Sequence, residues 1–177
     1  MILDLSYFFT NENSEETREV ELSMDSFESK MGVFPISESK PFELHFSNVE
    51  NKRLLIRGEM DVTIVIPCDR CLEPVPTKLH IGIEKELPID RESEEIPEEE
   101  AFEQSAYVEG CQLDIDRLIY GEILVNWPMK VLCRKDCKGL CKKCGQNLNE
   151  GACGCDQFVP DPRMAAFEDM FNKFKEV

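Results

Sequence analysis

The 177-residue chain is short of positive charge: 20 lysines and arginines face 36 aspartates and glutamates, giving a net charge of −16. That balance excludes a surface that adheres to nucleic acid over its whole extent. Long apolar runs are also missing, and none approaches the roughly 20 residues with which a helix crosses a bilayer. The opening MILDLSYFFTNE carries Asp4 and no basic stretch, so no secretion signal is expected and the cytoplasm is the expected compartment. Histidine is scarce. His45 and His80 each sit in an alternating segment, where packing or surface roles outweigh ligation or proton transfer. No phosphate-cradling glycine loop, HExxH, GxSxG or nucleotide fingerprint is present. The sequence supplies no convincing active site, and a non-catalytic protein is the expectation.

Cysteine, by contrast, is abundant. Nine are present, and six fall within CRKDCKGLCKKCGQNLNEGACGC, residues 133–155. A reducing compartment disfavours stable disulfides, so clustered cysteines there point to metal or redox chemistry. Cys141 and Cys144 form a CxxC followed by Gly145, which permits the positive φ such a turn requires. Cys153 and Cys155 form a CxC that presents two sulfurs on one side of an extended segment. Four thiolates at tetrahedral distance suit a structural Zn2+ ion, so Cys141, Cys144, Cys153 and Cys155 are the first expected metal site.

A second CxxC, Cys68 and Cys71 in VTIVIPCDRCL, directly follows a strand-like run. Combined with Cys133 and Cys137 it makes a second four-cysteine set, which leaves Cys111 as a lone buried thiol. Two alternatives stay open. Cys133, Cys137, Cys141 and Cys144 could form one local site, or Cys68 and Cys71 could act as a free redox pair. A thioredoxin-like reading is weak because no βαβ pattern surrounds CDRC, and spacing alone does not exclude an iron–sulfur cluster. Residues 133–155 contain only Leu140, Leu148 and Ala152 as other apolar residues. Such a segment needs an ion as its core.

Charge divides the rest. Lys130, Arg134, Lys135, Lys138, Lys142 and Lys143 stand against the single acid Asp136, whereas residues 90–103 carry eight acids and one arginine. The acidic run reads as an exposed loop or linker over 90–110. The basic residues either soften the charge of a thiolate-bound ion, contact RNA phosphates, or meet an acidic protein. For RNA contact the candidates are Arg134, Lys135, Lys138, Lys142 and Lys143.

Residues 1–89 alternate like strands, and ILDLSYFF, REVELSM, PFELHFSNVENKRLLIRGEMDVTIVIPC and KLHIGIEKELPI read as extended, with a turn at Asn48–Lys52. A short helix is expected near Met24–Lys30. Asp114 can cap a helix to about Val125, within a segment 111–132 that packs on the sheet, and Trp127-Pro128 ends it. Residues 133–177 are expected to form a zinc-binding module. It ends in an amphipathic helix capped by Asp161, whose Met164, Phe167, Met170, Phe171 and Phe174 fall at helical spacing. The fold class is therefore α+β: an antiparallel sheet or partial barrel of roughly five strands, a few helices and a C-terminal zinc-ribbon-like module.

CDRCL, the helix DIDRLIYGEILVNWP, the cluster with KGLCKKCGQNLN and CGC, and the following DPR resemble the YceD family of large ribosomal RNA subunit accumulation proteins. The specific part of the resemblance covers residues 68–72 and 113–163. By position, Cys68 and Cys71 match the family's CxxC, and Cys137, Cys141 and Cys144 match its GLCxxCG element. The resemblance implies a role in 23S ribosomal RNA accumulation, hence in large-subunit assembly or rRNA processing. It also implies large-subunit rRNA or the pre-ribosome as a partner, together with a basic large-subunit ribosomal protein. The other class to weigh is an enzyme, either a thiol oxidoreductase using Cys68 and Cys71 or an rRNA-processing activity.

Overall fold

The computed structural model describes residues 1–89, 104 and 106–155. Two units emerge. A sheet unit comprises Met1–Pro67 with Pro74–Val131, and a cysteine unit comprises Cys68–Glu73 with Leu132–Val177. The expected acidic run at 90–103 and the C-terminal helix with its Met/Phe stripe lie outside the described residues.

The α+β, mainly antiparallel class is the one observed. The sheet unit runs β1 (Ile2–Asp4), α1 (Ser6–Thr10), β2 (Glu15–Val20), β3 (Ser26–Ser29), β4 (Gly32–Ser39), β5 (Phe42–Val49), β6 (Arg53–Pro67), β7 (Pro74–Pro88), β8 (Val108–Glu109), β9 (Gln112–Asp114) and α2 (Ile115–Val125). A three-stranded sheet has the order β1-β9-β8, and a six-stranded one runs β2-β5-β6-β4-β3 with β7 beside β6. β6 organises the larger sheet. One of its edges pairs along its whole length with β7, from Arg53↔Pro88 to Pro67↔Pro74. The other is shared, by β5 from Arg53 to Gly58 and by β4 from Val62 to Ile64.

Strict alternation explains why β6 can do this. Leu54, Ile56, Met60, Val62, Ile64 and Ile66 are buried, each two residues from the next except across Gly58. They meet Phe42, Leu44 and Phe46 of β5 and Leu79, Ile81, Ile83 and Leu87 of β7 in one core. The glycine has a reason. A Cβ at Gly58 would lie 2.6 Å from the Glu43 carbonyl oxygen and 2.7 Å from Leu44 Cδ2. We therefore expect Gly58→Ala to destabilise the sheet by about 1–3 kcal/mol, read as a lower urea midpoint at unchanged slope.

The expected turn between β5 and β6 is present. Glu50 and Asn51 have φ of 53° and 57°, the type I′ pattern that matches strand twist. The buried Asn48 side chain braces it, accepting from Asn51 N at 3.0 Å and donating to Phe8 O at 2.7 Å. Asp114 caps α2 as expected, its carboxylate accepting from Asp116 N and Arg117 N. Ile115, Leu118, Ile119 and Ile123 make the buried stripe.

Four expectations are corrected. Met24–Lys30 is not helical: Ser26–Ser29 pairs with Gly32–Pro35 as a hairpin, because Phe27 is buried against Phe34, Tyr120 and Trp127. ILDLSYFF is not one strand. Asp4 Oδ1 accepts from Ser6 N at 2.8 Å, and the chain turns into α1, which buries Phe8 against Phe46. Residues 1–89 hold seven strands, β1 to β7, where about five were expected. Cys111, finally, is exposed, since it lies in the turn between β8 and β9.

Candidate metal centre

Cys68 follows β6 directly, and Cys68–Glu73 forms a tight loop. Cys68 N donates to Glu73 O at 2.8 Å, and Leu72 N donates to Cys68 O at 2.9 Å. The second CxxC repeats that pattern atom for atom: Cys141 N donates to Gln146 O at 2.8 Å, and Gly145 N to Cys141 O at 2.9 Å. The residue closing each loop has positive φ, 76° at Gly145 and 61° at Leu72. Glycine takes this conformation freely, whereas leucine pays a steric cost. The sequence signals the first case and hides the second.

Folding of these loops leaves two groups of four thiols. Cys68, Cys71, Cys133 and Cys137 form one, and Cys141, Cys144, Cys153 and Cys155 the other; within each, all four Sγ atoms lie within 4.8 Å of one another. A tetrahedral ion bound to sulfur at ~2.3 Å needs sulfurs about 3.8 Å apart. In the first group Cys71 Sγ and Cys133 Sγ are 3.5 Å apart, and Cys68 Sγ and Cys137 Sγ are 3.9 Å apart. The donor set and spacing fit a metal ion. Cys133 and Cys137 thus join Cys68 and Cys71 and not Cys141 and Cys144, and CDRC is not an isolated dithiol.

Local fields prepare some of these thiols to ionise. Burial opposes ionisation of Cys68, yet the backbone N–H groups of Arg70, Cys133 and Cys71 outweigh it and bring the thiol down to about 6. The backbone N–H groups of Cys144 and Lys143, with the Cys153 thiol, bring Cys141 to about 6 as well. Cys137 is lowered chiefly by the Asn149 side chain, against burial. Their partners move the other way. Burial, then the thiols of Cys71, Cys137 and Cys68, raise Cys133. The thiols of Cys144 and Cys153, then burial, push Cys155 up to about 12. Packed thiols cannot all hold charge without a cation among them.

Outer hydrogen bonds fix the first group. Arg70 Nη1 donates to Cys137 O at 2.7 Å, and Arg70 O accepts from Leu140 N at 3.1 Å. Asn149 Nδ2 donates to Cys137 Sγ at 3.3 Å, while its Oδ1 accepts from Lys138 N at 2.8 Å. Asn147 Nδ2 donates to Glu73 Oε1 at 2.8 Å, and Glu73 Oε2 lies 3.6 Å from Cys71 Sγ. None of these supports is marked in the sequence, because each depends on residues far away along the chain.

The basic candidates Arg134, Lys135, Lys138, Lys142 and Lys143 are all exposed. His45 Nδ1 lies 3.1 Å from Thr17 Oγ1, and His80 Nδ1 lies 3.0 Å from Asp61 Oδ1. Both line a broad open depression of about 1110 Å³ on the sheet's outer face. Two of the carboxylates there are engaged in ion pairs, Glu84 with Arg57 and Asp61 with Lys78.

Residues 56–171, a span holding all eight of these cysteines and the basic candidates, match the family described as large ribosomal RNA subunit accumulation protein YceD. The chain belongs to the YceD family. It is 29% identical over 119 residues to uncharacterized proteins of Mycobacterium tuberculosis and Mycobacterium bovis, matching 66% of this chain and 55% of theirs. An uncharacterized protein of Mycobacterium leprae is 25% identical over 95 residues, covering 54% of this chain and 43% of that one. The chain thus spans about half the length of the curated relatives it matches. No solved structure matches this YceD family member.

Proposed function

We propose that the chain is a non-catalytic factor for 23S rRNA accumulation and large-subunit assembly, in which metal ions hold a basic surface against rRNA. Membership of the YceD family carries this reading, since the match covers both groups of thiols and the family is described by ribosomal RNA accumulation. The ions are zinc, the common structural choice for four thiolates. Five exposed cations stand among the metal-ligand candidates, and Lys142 and Lys143 lie within the hydrogen-bonded loop Cys141–Gln146. The acidic remainder, net negative overall, limits adhesion to unrelated nucleic acid and suits a basic large-subunit ribosomal protein as second partner. No described helix is long and apolar enough to cross a membrane, and the cytoplasm, where ribosomes assemble, is the compartment we propose.

The thiol oxidoreductase reading has less support, because Cys68 and Cys71 share their surroundings with Cys133 and Cys137. Depleting the protein in cells should lower mature large subunits in sucrose gradients, with 23S rRNA reduced relative to 16S. An unaltered profile contradicts the proposal. Crosslinking in cells, read for RNA and protein alike, separates an rRNA contact from a purely protein one.

A further inference from the structure

Four sulfurs complete the ligand set of each ion, yet the loop that joins the two halves of the second group touches the first. That loop, residues 145–152, lies between Cys144 and Cys153 and offers only Leu148 and Ala152 as apolar residues. In the folded chain Asn149 N donates to Asn147 Oδ1 at 3.0 Å, Leu148 N donates to Gly139 O at 2.9 Å, and Leu140 bridges Asn147. From this loop Asn149 delivers an N–H to Cys137 Sγ, and Asn147 holds Glu73 beside Cys71. One of the first group's four sulfurs, Cys137 Sγ, is therefore supported by a side chain of the loop that links the second group's two halves.

We propose that the two metal centres are coupled through Asn149, so that filling the Cys141/Cys144/Cys153/Cys155 centre strengthens metal binding at Cys68/Cys71/Cys133/Cys137. This rests on the reading that both groups hold metal. A hydrogen bond to a ligating sulfur stabilises the charged, metal-bound thiolate over the free thiol, and outer partners of this kind change metal affinity by about 10–100-fold. The 145–152 loop is flanked by two second-centre ligands, Cys144 and Cys153, so an ion that draws them together narrows the loop's freedom and favours the Asn149 bond. Because coupling between sites is reciprocal, an ion in the first centre also favours the second. Asn149 is a positioning residue here, reaching the ion only through Cys137.

The test titrates the full, reduced chain with 113Cd2+, following one NMR resonance for each centre; cysteine-to-serine variants of each group assign them. In the unaltered chain two ions are expected, the second centre filling first or the two filling together. Asn149→Asp retains an acceptor for Lys138 N but removes the donor to Cys137. It should weaken the first centre by about 10–100-fold and move that centre's resonance, while the second centre's resonance stays in place. Cys141→Ser with Cys144→Ser should weaken the first centre at least as much. Equal affinity of the first centre in Asn149→Asp and the unaltered chain overturns the coupling and leaves the metal reading standing. A chain that takes up no ion at all overturns the metal reading, and the coupling with it.

Discussion

Stripping metal from the purified, reduced chain should unfold residues 133–155 and leave the sheet unit intact. The asymmetry follows from what each part has to bury. The sheet unit closes over a continuous core that includes Phe8, Phe27, Phe46, Leu54, Ile56, Ile64 and Ile81. Residues 133–155 have Leu140, Leu148 and Ala152 besides their cysteines. Structural zinc in small modules supplies apparent binding energies of roughly 10–16 kcal/mol near neutral pH, comparable to the stability of a whole domain. Nothing else in the segment is of that size. Replacing Cys141 and Cys144 with serine should therefore act like a chelator on this segment: it becomes protease-sensitive, and native mass spectrometry records fewer than the expected two ions. Acid should do the same, because every ligand must lose a proton before it binds, so affinity falls as pH falls. A metal-free chain whose residues 133–155 stay protease-resistant contradicts this account.

The second large effect concerns charge. Replacing Arg134, Lys135, Lys138, Lys142 and Lys143 together with glutamine should weaken rRNA binding by about three orders of magnitude near 0.15 M salt. The figure assumes that each exposed cation meets one phosphate, with a dependence of log affinity on log salt of about 0.7–0.9 for each contact. The salt slope should fall by roughly 3.5–4.5 in the variant. Metal content should not change, since none of the five is a ligand candidate. Binding with an unchanged salt slope would mean that these side chains do not face phosphate, and the proposed rRNA contact would have to lie elsewhere.

Much of this molecule is legible before folding is considered, and the limits have physical reasons. CxxC and CxC spacing points two sulfurs at one place through local geometry alone, so the thiol groupings could be set out from the sequence. The alternation of β6 and β7 is equally local, as is the Asp114 cap. SFES and its neighbours carry no strong strand pattern, and the pairing of β3 is fixed by the remote contacts of Phe27 with Tyr120 and Trp127. Strand-like ILDLSYFF bends where Asp4 captures Ser6 N, a bond that competes with extension. Cys111 shows the same limit: a thiol with no spacing partner says nothing of its exposure. Asn147 and Asn149 were legible only as turn formers, and their reach toward Glu73 and Cys137 depends on the folded loops. Leu72, in a backbone conformation that usually goes to glycine, gave no signal.

The ring cluster of Phe27, Phe34 and Trp127 has a practical corollary. Trp127 is the chain's one tryptophan, stacked on Phe27 at a centroid distance of 5.1 Å, within the sheet unit. Its ultraviolet emission is thus a built-in lamp for that unit alone. Demetallation should leave the lamp's colour unchanged while circular dichroism shifts, and urea added afterwards should redden it in a separate, later step.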